Sequence, residues 1–176
     1  MSNNPLLPSK PHRRVRRRYK WGKKMGDIWE KAVWKMLEKL GFKVDYSDIH
    51  GADLKAWRGK YTIYVECKIR NHPTSFLVYR DYIEDLKDKG IFAFLYCGRP
   101  FFVSFKKLLD YLNKTGKWIT FEVDERVKEI LKQQGFPEPV EYEYAHVTYR
   151  DLLRIASSDL KSVIEEVINR KLDWVE

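Results

Sequence analysis

The chain is poor in the residues that most often betray a function at sight. Its two cysteines, Cys67 and Cys97, cannot build a disulfide framework, and no C-x-x-C pair or Cys/His cluster offers a zinc or iron–sulfur site. Both thiols sit in apolar runs and are expected to be buried. No stretch approaches the roughly 20 apolar residues that cross a bilayer, so no membrane-spanning helix is expected. The N-terminal MSNNPLLPSKPHRRVRRR is basic but lacks the apolar segment of a secretory signal, so an intracellular location, cytoplasmic and nucleoid-associated, is expected. Glutamine and asparagine are also scarce, two and five residues beside 34% charged ones, a balance that fits a thermophilic host.

What is there is a chain of 176 residues, enough for one domain with tails, with 44% hydrophobic and 15% aromatic residues to build a core. Its charge is unevenly placed. Of 34 Lys and Arg residues, nine lie in residues 1–24 with no acid among them: Lys10, Arg13, Arg14, Arg16, Arg17, Arg18, Lys20, Lys23 and Lys24. The remainder balances 25 bases against 25 acids, so the net charge of +9 belongs to this segment. A basic arm on a neutral body suits a phosphate backbone, with salt-dependent binding through counterion release.

Apolar spacing predicts a helix over Asp27 to Leu40, stopped by Gly41. FKVDY, ADLKAW and YTIYVECKI read as strands, the last two forming a hairpin about Arg58, Gly59 and Lys60. Residues 76–88 have helical spacing up to Gly90. IFAFLYC reads as a strand covered on both faces, and a Gly98-Arg99-Pro100 turn leads to the strand FFVSF. A helix near 106–113, a strand at WITFEV, a helix at ERVKEILKQQ, a break at GFPEPV, a strand over 141–147 and a long helix from Tyr149 to Lys171 complete the chain. The order implies an α/β fold: a mixed central β-sheet flanked by helices. Three segments follow: a flexible basic arm (1–24), a core (25–105) and a C-terminal α/β extension packed on it (106–176).

The chemistry concentrates in Gly51-Ala52-Asp53 and Glu66-Cys67-Lys68. Strand alternation puts Thr62, Tyr64, Glu66 and Lys68 on one face, with Ile63, Val65, Cys67 and Ile69 on the other. In the partner strand, Asp53, Lys55 and Trp57 alternate with Ala52, Leu54 and Ala56. A two-residue turn at Gly59-Lys60 sets Asp53 opposite Glu66, and a turn one residue earlier makes them diagonal neighbours. Facing carboxylates stay ionised together most readily with a cation between them, and hard oxygen ligands suit Mg²⁺ or Mn²⁺. About three acid-x-Lys triplets are expected by chance in a chain of this composition. Four occur, at Asp53, Glu66, Asp85 and Asp159, of which the last two fall in helical patterns. The triplet gains meaning only with the upstream acid and with Glu30, which lies at the edge of the helix's apolar stripe beside Leu37. Asp27 and Glu38 compete with it on the same helix.

The stretch Gly26-Asp27-Ile28-Trp29-Glu30 through Leu40-Gly41-Phe42-Lys43-Val44, then Gly51-Ala52-Asp53-Leu54 and Val65-Glu66-Cys67-Lys68, resembles the PD-(D/E)xK nuclease superfamily, and within it is most similar to the archaeal Holliday-junction resolvases. The resemblance covers about residues 26–105. It implies a restriction-endonuclease-like core and a catalytic set of Glu30, Asp53, Glu66 and Lys68. By it, Asp53, Glu66 and the backbone carbonyl of Cys67 hold one Mg²⁺, for which Mn²⁺ can substitute, while Glu30 ligates through water or helps hold a second ion. Lys68 positions the attacking water or neutralises developing charge. Ala52 stands where the motif has proline, and residues 106–176 have no counterpart.

Asp48, His50, Arg70 and Arg80 are accessory residues that can reach substrate; with the arm, Arg70 is assigned to DNA. His12, His72 and His146 show no ligand spacing, and Tyr61, Tyr64 and the other aromatics are expected to fill core and edges. The leading expectation is a metal-dependent DNA endonuclease, a junction resolvase working as a homodimer on duplex or branched DNA. A linear-duplex or restriction-type endonuclease, a DNA-binding protein with a vestigial site, and an RNA substrate remain open.

Overall fold

The computed structural model describes residues 20–69, 75–122, 124–135 and 141–174. The arm residues Lys10 and Arg13 to Arg18, and Arg70, His12, His72 and residues 136–140 of the break at GFPEPV, lie outside them. Helix α1 spans Lys20–Lys39, so it begins before the expected Asp27 and takes in Lys20, Lys23 and Lys24. It ends as the sequence predicts. Gly41 adopts φ +88°, the Gly41 N–H donates to Glu38 O at 3.0 Å, and the Phe42 N–H donates to Leu37 O at 3.1 Å. This pairing satisfies the last carbonyls of the helix and seats Phe42 against Leu37 in the core.

Strands β1 (Lys43–Tyr46), β2 (Leu54–Arg58) and β3 (Tyr61–Lys68) form an antiparallel meander. After β4 (Ser75–Tyr79) and α2 (Arg80–Asp85), β5 (Gly90–Tyr96) returns parallel to β3, and β6 (Arg99–Ser104) pairs antiparallel with β5. The result is a five-stranded mixed sheet in the order β1-β2-β3-β5-β6. Helix α3 is Phe105–Thr115, followed by β7 (Ile119–Glu122), α4 (Glu125–Gln133), β8 (Glu141–Thr148), α5 (Tyr149–Leu153) and α6 (Leu160–Ile168). Strands β4, β8 and β7 make a second, antiparallel sheet.

The mixed sheet carries a core on each face. On one, α1 and α6 bury Trp29, Val33, Leu37, Val163 and Ile164 against Leu54, Ala56, Ile63, Val65, Ile91 and Ala93. On the other, α3 and the second sheet bury Leu108, Leu112, Phe76, Val78, Ala145 and Val147 against Tyr64, Phe92 and Phe94. The apolar run of β5 is explained by this: its alternate residues feed both cores. Gly90 opens β5 because a Cβ there would lie 2.3 Å from Phe105 Cδ2 and 2.8 Å from Leu86 O.

Several expectations are corrected. Residues 75–79 are a strand, because β8 offers a ladder some 70 residues along the chain, and only Arg80–Asp85 is helical. The turn between β5 and β6 is Cys97-Gly98, with φ 51° and 73°, and leaves Cys97 exposed and Cys67 half-buried, so neither thiol is fully buried. Pro100 falls inside β6 instead of in the turn, tolerated because β6 is an outermost strand. The C-terminal helix is two helices. Ser157 interrupts it by exchanging backbone hydrogen bonds with Phe102, both 2.8 Å, and the Asp159 side chain accepts from the Lys161 N–H to start α6 afresh.

Candidate active site

The hairpin closes on Gly59-Lys60, and its register, Arg58↔Tyr61 through Leu54↔Val65, is the two-residue-turn alternative. Beyond Leu54 the ladder slips. The Asp53 N–H donates to Val65 O at 2.8 Å, while Asp53 Oδ2 accepts from the Cys67 N–H at 2.8 Å. Asp53 thus grips β3 on both sides of Glu66. On its other flank, Asp53 O accepts from the Ser47 N–H at 2.9 Å, tying the residue to the end of β1. The slip also moves Ala52 out of the expected alternation: it packs with Tyr64 on one face of the sheet while Leu54 and Ala56 pack on the other. The alternation expected of β3 holds, with Tyr64 in one core and Ile63 and Val65 in the other.

Burial picks out the same acids. Among the described residues, the buried polar or charged ones are Glu30, Asp53, Glu66, Ser104 and Asp151. Ser104 and Asp151 cap helices α3 and α5. The other three, exposed by 6%, 8% and 7%, sit mid-helix (Glu30), in the bend just before β2 (Asp53) and in β3 (Glu66), and none of them caps a helix. Taking a carboxylate out of water costs several kcal/mol, about 1–3 kcal/mol of it returned by each charge-assisted hydrogen bond. Of the competing acids on α1, Glu38 is exposed and Asp27 half-buried. Glu30 is positioned through its neighbour: Trp29 Nε1 donates to Ala93 O at 3.2 Å, and Ala93 is the β5 partner of Cys67. One hydrogen bond therefore anchors this turn of α1 to the strand pair that carries Glu66 and Lys68.

Lys68 Nζ lies 4.0 Å from Glu66 Oε1, with the lysine partly exposed and the carboxylate buried. A loose pair of this kind leaves the ammonium able to reach a second anion. For a divalent ion the donor chemistry fits: two buried carboxylates on adjacent strands, with backbone carbonyls beside them, are hard oxygen ligands on a rigid support. Among the described residues, no group of three or more His, Cys, Asp or Glu side chains is placed to hold a metal. A site on Asp53 and Glu66 would be completed by a carbonyl and water.

The loop before Asp53 is shaped by Gly51, whose φ is +91° and whose added Cβ would meet Tyr82 Cβ at 2.9 Å. His50, exposed in that loop, stacks on Tyr82 with ring centroids 6.0 Å apart. Asp48 is exposed. Arg80 is committed elsewhere: it pairs with Glu84 at 2.8 Å and Glu143 at 2.6 Å, and its guanidinium lies over the Trp118 ring at 5.4 Å. The pair with Glu84, then burial acting against it, then Glu143 leave its pKa raised. Lys24 is exposed on α1. Tyr64 fills the core as expected, and the Tyr61 hydroxyl accepts from Arg170 Nη1 at 3.0 Å. Sequence reasoning gave no role to Tyr82, whose contact with the loop shows only when α2 is folded.

No helix among the described residues is long and apolar enough to cross a membrane. No protein-family model matches the sequence, and no curated protein sequence matches it. Among solved structures, the chain is similar to Hjc, a Holliday junction resolvase from the archaeal hyperthermophile Archaeoglobus fulgidus, with a TM-score of 0.44 and 13% identity over 85% of this chain and 99% of that one.

Proposed function

We propose that this protein is a metal-dependent DNA endonuclease whose active site comprises Glu30, Asp53, Glu66 and Lys68. One observation carries the reading: among the described residues the buried acids that cap no helix are the three acids of that set, and Asp53 bonds the backbone on both sides of Glu66, whose carboxylate lies 4.0 Å from the Lys68 ammonium. Asp53, Glu66 and the Cys67 carbonyl would hold Mg²⁺, or Mn²⁺ in its place, with Glu30 acting through water or on a second ion. Bound there, such an ion would offset negative charge on the scissile phosphate and lower the pKa of a bound water. Asp53 contributes rigidity, because its carboxylate is already oriented by the Cys67 amide. Lys68 offsets negative charge developing on the phosphate, and its loose pairing with Glu66 leaves it free to move toward that charge. The basic arm supplies sequence-independent attachment to the DNA backbone.

For substrate we favour branched DNA, cut by a homodimer that sets two such sites on opposing strands. The test is cleavage of four-way junction, linear duplex and single strand with Mg²⁺, comparing wild type with Asp53→Ala and Glu66→Ala. Junction cutting lost by at least about a thousandfold in both variants, as for removal of a metal ligand or electrostatic group, is the expected result. Equal cutting of linear duplex would move the reading to a general endonuclease, and no cutting with any metal would leave a DNA-binding protein.

A further inference from the structure

The second sheet has an open face of uncommon composition. Leu77 and Tyr79 of β4, Tyr144 and His146 of β8 and Ile119 of β7 share one side, since Phe76, Val78, Ala145 and Val147 of the other side are buried. Leu77 and Ile119 are 39% and 45% exposed, His146 is exposed, and Tyr79 and Tyr144 are half-buried. The rings continue toward the candidate active site. Tyr144 and His146 are 5.7 Å apart, Tyr144 is the register partner of Tyr79, and Tyr79 meets Tyr82 edge-on at 5.8 Å. Tyr82 then stacks on His50, with ring planes 17° apart, in the loop that delivers Asp53. A line of five rings, His50, Tyr82, Tyr79, Tyr144 and His146, thus runs from the candidate active site out across the sheet.

Three features decide what this line would hold. The rings are tyrosine and histidine, whose faces stack while their polar tips stay wet, a composition suited to flat, partly solvated groups. Among the residues of β4, β7 and β8 whose side chains are described, strand alternation puts no acidic residue on this side, so the sheet there presents no carboxylate to an anionic chain. And the line ends at His50, three residues before Asp53 in the loop that delivers it, so that its bearing on a scissile phosphate rests on the nuclease reading.

We infer that the His50–Tyr82–Tyr79–Tyr144–His146 line is a stacking platform for unpaired nucleotides of the strand entering the site, so that the protein prefers DNA carrying a single-stranded segment beside the duplex. Bases stack on aromatic faces whatever their identity, and a duplex hides those faces. The platform therefore selects by strand structure and not by sequence.

The test is binding by the full chain in metal-free buffer, by fluorescence anisotropy, to a blunt duplex and to the same duplex with an oligothymidine tail. Wild type should prefer the tailed duplex. Tyr79→Ala and Tyr144→Ala should each weaken tailed binding by about tenfold while leaving blunt binding unchanged, and Tyr144→Phe should retain it. A 2-aminopurine in the tail should be quenched by wild type and not by Tyr144→Ala. His146→Ala, at an exposed position, carries the test if a tyrosine variant fails to fold. Equal affinity for the two DNAs, or a tail preference that survives these alanine variants, overturns the inference. So does a fall in sedimentation mass without loss of tail binding, which would make the face an interface between copies. Failure of the nuclease reading looks different: no metal-dependent cleavage, with the tail preference intact.

Discussion

Asp151 is a buried carboxylate whose ionisation the fold itself maintains. Burial alone would push its pKa up, but Lys117 Nζ at 2.7 Å, the Thr148 N–H at 3.1 Å, the Tyr111 hydroxyl at 2.8 Å and the Thr148 hydroxyl at 2.9 Å hold it well below the usual carboxylate range. The unfolded chain therefore takes up the proton first. Stability from this network is fully present above the unfolded value of about 3.9 and is lost as pH falls below it toward the folded value. Asp151→Asn should cost about 1–3 kcal/mol at neutral pH, with the gap from wild type narrowing below about pH 4. Urea midpoints at neutral and acid pH read this directly, and a gap that persists undiminished in acid would refute it. Gly51 poses a different residue-scale question. Gly51→Ala must adopt a left-handed φ and press on Tyr82, which should cost about 1–3 kcal/mol and displace the loop that delivers Asp53. The expected outcome is a lower urea midpoint together with slower cleavage, measured under conditions where the variant remains folded.

At the scale of elements, α1 is fastened to the sheet by a contact that can be cut without emptying the core. Trp29→Phe removes the indole donor to Ala93 O and should cost about 1–2 kcal/mol by thermal or urea melting. On the proposed function it should also reduce the cleavage rate at saturating DNA severalfold with little change in DNA affinity, because Glu30 follows Trp29 while attachment is proposed for the arm. Such elements differ in how far sequence reveals them. Helix α1 and the β2–β3 hairpin were legible because their signals are local: apolar spacing capped by Gly41, and alternation closed by Gly59-Lys60. Alternation put Glu66 and Lys68 on one face of the hairpin with Asp53 near them, whereas the choice of Glu30 over Asp27 and Glu38 came from the family resemblance and not from spacing. Strand β4 was not legible, since Phe76, Val78, Ile83 and Leu86 fit a helical window and the partner strand β8 lies far away in sequence. The slip at Asp53 was invisible too, being made by one side chain accepting a backbone N–H across the hairpin. The break between α5 and α6 had a signal in Ser157-Ser158-Asp159, a run rich in capping residues inside an otherwise periodic segment.

The whole molecule is neutral apart from its first 24 residues, and that asymmetry sets its ionic behaviour. Removing residues 1–19 deletes Lys10 and the five arginines from Arg13 to Arg18. Each of these that neutralises a phosphate contributes about 0.9 to the slope of log affinity against log salt on duplex DNA. The truncated chain should therefore bind DNA more weakly and with a visibly shallower salt slope, while Mg²⁺-dependent cleavage at low salt survives. An unchanged slope would place the phosphate contacts on the body instead.

The exchange of hydrogen bonds between Ser157 and Phe102 has a bearing on how two copies can meet. An outermost strand with a free row of amides and carbonyls is a template on which another chain can continue the sheet, the usual route to runaway association. In β6 that row is stopped mid-strand by Ser157, and Pro100 removes a further donor near its start. Two copies cannot zip together along β6. A homodimer of the proposed kind that used this edge would have to meet there through side-chain surfaces, a contact that closes after two subunits instead of growing into a fibre.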